Sequence, residues 1–251
     1  MKEIFVTEES LPDAYHKSIL ALYNSGVETN CPDYNQKQIE CSMTVHIEAP
    51  LSEPRISRLI IGTAYDLKRY ELEILDGVLD SMIGHGWDYT YHSRYALYVP
   101  FIINELKRNP DSRRAVISVR DNEVDSNSDD PSCLQSIQYF IRDDMLHSKV
   151  LFRSNDLAEA FFFNAFALIR LQENIADELG VKVGSYTHRS NSMHVYEKDF
   201  GILKGYVNAI ITRKPSDLTY YYFGDFKEQM EEEVPNIMRM VNSLKEKVNC
   251  K

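Results

Sequence analysis

Long apolar stretches are missing from this chain of 251 residues, and tryptophan occurs once. No uninterrupted apolar run approaches the length of about 20 residues that a membrane-spanning helix needs. The first ten residues, MKEIFVTEES, are too polar for a signal peptide. We therefore expect a cytoplasmic protein that does not act on or in a membrane.

Cysteine is also scarce, and its spacing excludes the usual cysteine-based frameworks. The four cysteines are Cys31, Cys41, Cys133 and Cys250. They form no C-x-x-C pair, and the seven histidines show no spacing of the zinc-binding type. We expect neither a bound metal nor a set of structural disulfides.

Positive charge is in short supply as well. The chain has 28 lysines and arginines against 38 acidic residues, a formal net charge of -10. A surface that binds nucleic acid normally has a basic footprint, so we expect no nucleic-acid partner. Any anionic ligand must then meet arginines that are clustered locally. The hydrophobic fraction of 43% and the length are ordinary for a soluble globular protein, and we expect one domain over residues 1–251.

Hydrophobic periodicity predicts both helices and strands, with no linker between domains. The predicted helices cover residues 13–24, 56–78, 97–107, 156–179 and 199–212. The predicted strands cover residues 42–50, 114–121, 132–143, 145–154 and 184–197, and the third and fourth form a hairpin that turns at Asp143 and Asp144. Polar loops are expected over 30–40 and 121–130. From residue 225 to 251 we expect an acidic helical extension whose last helix begins or kinks at Pro235. The predicted fold class is α+β, with a mixed β-sheet packed by helices.

Cys133 stands two residues after Pro131, at the head of a predicted strand. A cysteine on a buried strand is usually an inert, small apolar residue. A functional thiol needs a nearby cation, because an ordinary cysteine is mostly protonated at neutral pH. Arg153, at the end of the paired strand, can supply that cation.

Five short strings, taken together in this order and spacing, resemble thymidylate synthase and its relatives, the pyrimidine-nucleotide hydroxymethylases. The strings are NPDSRR (109–114), PSC (131–133), QYFIRD (138–143), RSND (153–156) and SMHVY (192–196). The resemblance extends from about residue 71 to residue 200. It implies a thymidylate synthase-like fold, a homodimer with shared active sites, and the reductive methylation of dUMP to dTMP. The implied cosubstrate is methylene-tetrahydrofolate or a methanopterin-type analogue, and the sequence does not choose between them.

The chemistry of such a reaction suggests roles for four residues. A thiolate that adds to carbon six of a pyrimidine makes carbon five nucleophilic, and the resemblance assigns this task to Cys133. It assigns Tyr91 to removal of the carbon-five proton. YELEI (70–74) is similar to the family's ELLW segment, which would make Glu71 the carboxylate for proton transfer at the uracil carbonyl. Glu73, two residues further on, remains an alternative.

The phosphate of the substrate needs several donors in a fixed arrangement, which favours arginine over lysine. The resemblance implies that Arg153 and Ser154 bind it from one subunit. It implies that Arg113 and Arg114 reach the same phosphate from the partner subunit. Lys37 is a weak substitute for the N-terminal phosphate-binding arginine of the family.

The remaining assignments concern the base, the sugar and the pterin. Asn164 has the family's spacing from Arg153 for the residue that contacts the base, and a carboxamide suits uracil because it can both donate and accept. His194 and Tyr196, on one face of a strand, resemble the pair that binds the sugar hydroxyl. Asp156 resembles the residue that holds the pterin ring, and it is also a candidate helix N-cap.

The chain departs from the usual family pattern at several positions. Leu134 follows the cysteine where histidine is usual, Phe152 replaces glutamine, and His92 follows Tyr91 where glycine is usual. With the string IEAPLSEPRIS, these differences are closer to the divergent archaeal thymidylate synthases. A first alternative is a 5-hydroxymethylase of dUMP or (d)CMP that uses methylene-tetrahydrofolate, in which water rather than hydride completes the reaction. A second is a non-catalytic nucleotide-binding homodimer.

Overall fold

The computed structural model of the chain describes residues 1–249, except for the side chains of Asp225 and Asn249. The strands are β1 (Glu3–Glu8), β2 (Val27–Cys31), β3 (Gln36–Ile47), β4 (Ile56–Ser57), β5 (Val116–Ser118), β6 (Leu134–Arg142), β7 (Met145–Phe152), β8 (Asn155–Asp156), β9 (Lys182–Tyr196) and β10 (Thr219–Tyr220). The helices are α1 (Leu11–Ser25), α2 (Ala64–Asp76), α3 (Tyr91–Tyr95), α4 (Val99–Arg108), α5 (Asn122–Asp125), α6 (Phe161–Leu179), α7 (Phe200–Thr212), α8 (Lys227–Glu232) and α9 (Val234–Asn249). Cys250 and Lys251, the end of the predicted C-terminal extension, lie outside the described residues.

One large mixed sheet organises the fold. Its strands follow the order β1-β3-β9-β7-β6-β5, with β2 also paired to β3 and β8 to β9. The pairs β1/β3 and β7/β9 are parallel, whereas β3/β9, β6/β7 and β5/β6 are antiparallel. The predicted α+β class, a mixed sheet packed by helices, is confirmed.

The two faces of the sheet differ in character because side chains alternate along a strand. On β3, Met43, Val45 and Ile47 are fully buried on the face that α1 covers. The opposite face, which we call the open face, is largely polar and partly exposed. It includes Thr44, His46, Ser136, Gln138, Lys149, Leu151, Thr187 and Arg189.

The central helix α6 fills the covered side of the sheet. Nearly all of its residues from Phe161 to Ile169 are buried, as expected for a segment that is apolar almost all round. Gly180 ends the helix in the left-handed region, with φ of 70°, which confirms the predicted stop.

The predicted hairpin is present and carries the cysteine at its base. β6 and β7 pair antiparallel, and Asp143 and Asp144 have φ of 51° and 57°, the left-handed conformation at both central positions of a two-residue turn. A register shift lies between Leu134 and Ser136, directly after Cys133. Such bulges bend a strand and redirect its side chains, and they are frequent beside functional sites.

The prediction of one helix over 56–78 is wrong in its first part. Ile56 and Ser57 form β4, which pairs with β10, and the helix begins only at Ala64. Thr63 and Asp66 form a capping box that fixes this start. Ile56 and Leu59 are buried although they lie outside the helix, so their spacing resembled that of a helical face.

The predicted start of the long helix at Asp156 is also wrong. Asp156 belongs to the short strand β8, and α6 begins at Phe161 after an intervening turn. Asp156 Oδ1 accepts from the backbone N–H groups of Ala158 (2.8 Å) and Glu159 (3.0 Å). It caps that turn rather than the helix itself.

Smaller differences concern the first half of the chain. The expected polar loop over 30–40 is instead the end of β2, a short turn and the start of β3, and the N-terminal strand β1 was not predicted. The predicted strand over 114–121 is shortened to β5, and a single helical turn, α5, interrupts the loop over 121–130.

The last helices pack against α2. Pro235 is the second residue of α9, so the predicted start of that helix is confirmed. Ile237 and Val241 of α9 form a small separate cluster with Leu79. Within residues 1–249, no helix combines the length and apolarity required to cross a bilayer.

Candidate active site

Cys133 is half-buried and is held in place by Arg153. The Arg153 backbone N–H donates to the Cys133 carbonyl at 2.8 Å. Its guanidinium donates to the carbonyl of Ser132 from Nε at 3.1 Å and to that of Pro131 from Nη2 at 2.5 Å. One arginine therefore fixes the three residues of the PSC string through both its main chain and its side chain.

Opposing effects set the acidity of the thiol. Burial raises the pKa of Cys133 above its ordinary value, the charge of Arg153 lowers it, and Asp130 raises it further. The net direction is upward. The arginine thus acts on the sulfur in the expected sense but does not overcome desolvation in the ligand-free protein.

Four tyrosines lie within electrostatic range of the thiol. A charge on Cys133 would raise the pKa of Tyr70, Tyr89, Tyr91 and Tyr196, each already raised chiefly by burial. The rings of Tyr89 and Tyr91 have centroids 5.9 Å apart. The backbone of Leu134, the residue after the cysteine, opposes the upward shift in the pKa of Tyr91.

His92 braces the helix that begins at Tyr91. Its Nδ1 lies 2.7 Å from Asp80 Oδ2, and the Thr90 hydroxyl donates to the other oxygen of the same carboxylate. Thr90 also forms the capping box of α3 with Ser93. The imidazole at a position where glycine is usual therefore has a local structural partner.

A cavity of about 430 Å³ opens beside the tyrosines. Its lining residues are Glu73, Gly86, Trp87, Asp88, Tyr89, Thr90, Tyr91, Asp129 and Asp130. Burial raises the pKa of Glu73, and Arg69, 3.3 Å away, opposes that shift. Trp87, the one tryptophan, combines with two tyrosines to give this acidic cavity aromatic walls.

Glu71 points elsewhere. It is buried and accepts from Lys68 Nζ at 2.9 Å and from Arg170 Nε at 2.8 Å. Lys68 in turn donates to Glu231 of α8. Between the two carboxylates that the sequence left open, Glu73 faces the cavity and Glu71 takes part in a buried ion network.

Asn164 lies on α6 and is 5% exposed. The Tyr70 hydroxyl donates to its Oδ1, and its Nδ2 donates to Asn155 Oδ1 at 3.3 Å. Tyr70, which donates to the carboxamide, also lies within electrostatic range of Cys133. The buried amide therefore has a hydrogen-bond partner at its oxygen and another at its nitrogen.

Ser154 and the H-x-Y pair adjoin Arg153. The Ser154 hydroxyl lies 3.5 Å from Nδ1 of His194, whose ring centroid is 4.6 Å from that of Tyr196. His194 Nε2 is buried without a hydrogen-bond partner among the described residues, and burial lowers the pKa of the imidazole. Because Nε2 is buried and makes no hydrogen bond within the described residues, it is available to a ligand hydroxyl.

Asp156 also has an unused oxygen. Oδ1 accepts from the turn, while Oδ2 is buried with no hydrogen-bond partner in the described part of the chain. Burial raises the pKa of Asp156 to about 6. The free oxygen suits an N–H donor such as a pterin ring presents.

Three carboxylates nevertheless come close together near this residue. Oxygens of Asp156, Glu159 and Asp199 lie within 4.8 Å of one another. Lys198 Nζ is 2.7 Å from Glu159 Oε1 and 3.7 Å from Asp199 Oδ2. The lysine ammonium already neutralises part of this cluster.

Arg113 and Arg114 are not brought to Cys133 within one chain. Both are exposed just before the edge strand β5, where they line a cavity of about 520 Å³ with Glu105 and Ser112. In the described part of the chain, this cavity shares no lining residue with the cavity beside Tyr91. Neither arginine is among the charged groups that shift the pKa of Cys133.

Tyr70, Tyr89 and Asn155 were missed by the sequence analysis. Tyr70 precedes Glu73 by three residues, which places the two on one face of α2. Tyr89 alternates with Tyr91 in WDYTY, a spacing that could have suggested a shared surface. For Asn155, inside RSND, nothing in the sequence indicated a separate function.

The chain is similar to known proteins in sequence and in fold. A sequence model of the family described as thymidylate synthase matches residues 66–246. A protein of Methanocaldococcus jannaschii, provisionally named a thymidylate synthase, is 39% identical over 135 residues, which cover 48% of this chain and 61% of that protein. A protein of Methanosarcina barkeri with the same provisional name is 28% identical over 82% of this chain and 95% of its own length.

The fold is also found among solved structures. The thermostable thymidylate synthase A from Bacillus subtilis superposes with a TM-score of 0.65, covering 80% of this chain and 84% of its own, at 19% sequence identity. At that identity the superposition supports the fold alone. Because the family model spans most of the sequence, this chain belongs to the thymidylate synthase family.

Proposed function

We propose that this chain is a thymidylate synthase that methylates dUMP to dTMP through a transient bond between Cys133 and the pyrimidine. Members of the family are enzymes of one-carbon transfer that bind dUMP and use a folate cosubstrate. The observation that carries the proposal is the position of the thiol. The charge of Arg153 lowers the pKa of the thiol, and a charge on Cys133 would raise the pKa of Tyr89 and Tyr91, so the sulfur lies within electrostatic range of all three side chains.

The chemistry begins at the sulfur. The Cys133 thiolate adds to carbon six of the uracil ring, and the electron pair of the double bond moves to carbon five, which becomes the nucleophile. A reduced methylene-pterin bound near Asp156 would supply the carbon unit and the hydride. The carbon-five proton leaves to a water molecule, and the Tyr91 hydroxyl, which stays protonated because burial raises its pKa, would assist by hydrogen bonding. Elimination of the thiolate then restores the double bond and releases the product.

A carboxylate is needed at the pyrimidine carbonyl, and we assign this role to Glu73 rather than Glu71. Glu73 lines the cavity together with Tyr91, and burial raises its pKa above the ordinary value of a glutamate. Glu71 is engaged by two cations on the other side of α2.

The phosphate would bind to Arg153 and Ser154 of one subunit and to Arg113 and Arg114 of its partner. The open face supports such a homodimer, because a second copy packed against it would cover the partly exposed strands. The two arginines precede β5, the edge strand of that sheet, so a two-fold partner could carry them toward the other thiol.

The other contacts follow from unused hydrogen-bonding capacity. Asn164 retains a free N–H and a free lone pair for the base. His194 Nε2 and the Tyr196 hydroxyl suit a sugar hydroxyl, and Asp156 Oδ2 suits a ring N–H of the pterin.

Release of tritium from carbon five of labelled dUMP tests the nucleophile. The wild-type protein with methylene-tetrahydrofolate or its methanopterin-type analogue should release tritium, and Cys133→Ala should not, because no carbanion forms without the thiolate. Cys41→Ala, a buried cysteine on β3, is the matched control and should behave as wild type. Equal release from Cys133→Ala and the wild type would refute the assignment.

Product analysis then separates synthase from hydroxymethylase. A methyl product with one equivalent of oxidised pterin supports the proposal. A hydroxymethyl product would refute the synthase proposal and indicate a hydroxymethylase, because water rather than hydride would have completed the reaction.

A further inference from the structure

A hydrogen-bond chain runs from Asn164 into the core. Asn164 Nδ2 donates to Asn155 Oδ1, and Asn155 Nδ2 lies 2.8 Å from His188 Nε2. Nδ1 of the same imidazole lies 3.0 Å from the Tyr186 hydroxyl. His188 and Tyr186 are fully buried on β9, and the mechanism proposed above uses neither of them.

The surroundings of His188 determine its protonation. The imidazole stacks on Phe152 with centroids 4.6 Å apart and an interplanar angle of 9°, and the edge of Phe161 covers it at 4.8 Å. Burial in this apolar setting lowers the pKa of His188 to about 3, so the ring is neutral at physiological pH. A neutral imidazole has one donor and one acceptor nitrogen.

The placement of the Asn155 amide nitrogen against Nε2 then sets the direction of each bond in the chain. An amide nitrogen only donates, so His188 Nε2 must accept from Asn155, and the ring proton is on Nδ1, which donates to the Tyr186 oxygen. With its nitrogen committed to His188, Asn155 presents its oxygen to Asn164. The carboxamide of Asn164 is therefore held with nitrogen toward Asn155 and oxygen toward Tyr70.

This orientation matters because uracil and cytosine differ by exchange of donor and acceptor. Uracil presents an N–H at position three and a carbonyl at position four, whereas cytosine presents a bare nitrogen and an amine. A carboxamide that matches one base matches the other only after a rotation of about 180°, which exchanges the positions of its oxygen and its nitrogen. Asn164 can thus select a base only if something fixes which end is oxygen.

We propose that His188 and Asn155 are positioning residues that make the site selective for uracil over cytosine by fixing the orientation of the Asn164 carboxamide. The inference rests on the proposed function, since it concerns the same nucleotide site. His188 stacks on the ring of Phe152. Phe152 is one of the positions at which this chain departs from the usual family pattern, because it replaces a glutamine.

The test compares binding of dUMP and dCMP to the full-length protein by calorimetry, without a pterin. His188→Phe keeps the ring volume but removes the acceptor for Asn155. Because a net hydrogen bond corresponds to a factor of about five to ten in an equilibrium constant, the dUMP-to-dCMP affinity ratio should fall by about that factor. His188→Gln retains an acceptor oxygen and should keep the wild-type ratio within about twofold.

Ser148→Ala is the matched control. Ser148 is buried on β7 and donates to Gln172 at 2.9 Å, in a polar contact that does not join the chain. It should leave the ratio unchanged even if the protein becomes less stable. If His188→Phe does not fold, Asn155→Leu provides the same comparison.

The outcomes separate the inference from the proposed function. Equal weakening of both nucleotides in His188→Phe, or a wild-type protein that binds both equally well, would overturn the inference. A wild-type protein that binds neither nucleotide would instead overturn the proposed function. A fall in the ratio that His188→Gln restores would establish the positioning role.

Discussion

Replacement of His188 by glutamine should make the protein less sensitive to acid. In the folded protein the pKa of His188 is lowered from 6.5 to about 3 by burial. The unfolded chain therefore takes up a proton at a pH where the folded protein does not. The stabilising effect of the neutral imidazole is complete above about pH 6.5 and is lost as the pH falls toward 3.

The size of the effect follows from these two values. With pKa values of 6.5 and about 3, linkage gives a loss of about 2 kcal/mol in the free energy of unfolding between about pH 7.5 and pH 5. Desolvation is the sole cause of the shift, and the ring contacts Phe152, Phe161 and neutral hydrogen-bond partners. His16, whose pKa burial lowers to about 4, contributes equally to both proteins and cancels in the comparison.

Urea denaturation of the wild type and His188→Gln at the two pH values, at one protein concentration, measures the difference. The variant starts from its own stability at pH 7.5, so only the change between the two pH values is compared. We expect that change to be about 2 kcal/mol smaller in the variant. Equal changes in the two proteins would refute the argument, because they would mean that the folded state binds the same proton.

Three further predictions concern the site. Asp130→Asn should lower the pKa of Cys133, so alkylation of that cysteine, followed by peptide mass spectrometry, should begin at lower pH; an unchanged profile would contradict the proposed electrostatics. Arg113→Ala and Cys133→Ala should each be nearly inactive, yet subunit exchange should restore about a quarter of wild-type activity, because half of the dimers would then hold one intact site. No recovery would mean that Arg113 does not act across subunits. Glu73→Gln should abolish tritium release with little loss of stability. Glu71→Gln should weaken the hydrogen bonds that the buried Lys68 and the half-buried Arg170 donate to this carboxylate, and should lower the free energy of unfolding by about 2 kcal/mol. The opposite pattern in release assays and denaturation curves would restore Glu71 as the catalytic carboxylate.

Local patterns predicted the elements whose structure is decided locally. The hairpin of β6 and β7 follows from alternating apolar residues around two aspartates that tolerate the left-handed conformation. Helix α6 follows from an apolar segment that ends at a glycine. These two elements carry Cys133 and Asn164, so a large part of the candidate site was accessible from the sequence.

Pairing between distant segments was not accessible in the same way. β1 is parallel to β3, and a parallel pair requires a crossover, here α1, that no short pattern specifies. Ile56 is buried by its pairing with β10, more than 160 residues later. Its apolar character was therefore assigned to the wrong element.

The choice between Glu71 and Glu73 illustrates a limit of motif comparison. Two residues on a helix differ by about 200° in direction, so an offset of two positions moves a side chain to the opposite side. Glu73 shares its face with Tyr70, and Glu71 shares a network with Lys68. Only the packing of α2 against its neighbours distinguishes the two.

The hydrogen bonds from Arg153 to the carbonyls of Pro131 and Ser132 affect how substrate analogues should react. The remaining N–H groups of the guanidinium are the ones left for an anion, so a ligand that orders this side chain also orders the peptide that leads into the reactive sulfur. Binding of the nucleotide's phosphate at Arg153 would thus improve the alignment of the Cys133 sulfur with the pyrimidine. A nucleoside that lacks the phosphate is expected to suffer in turnover as well as in affinity, and added inorganic phosphate should recover part of the lost rate.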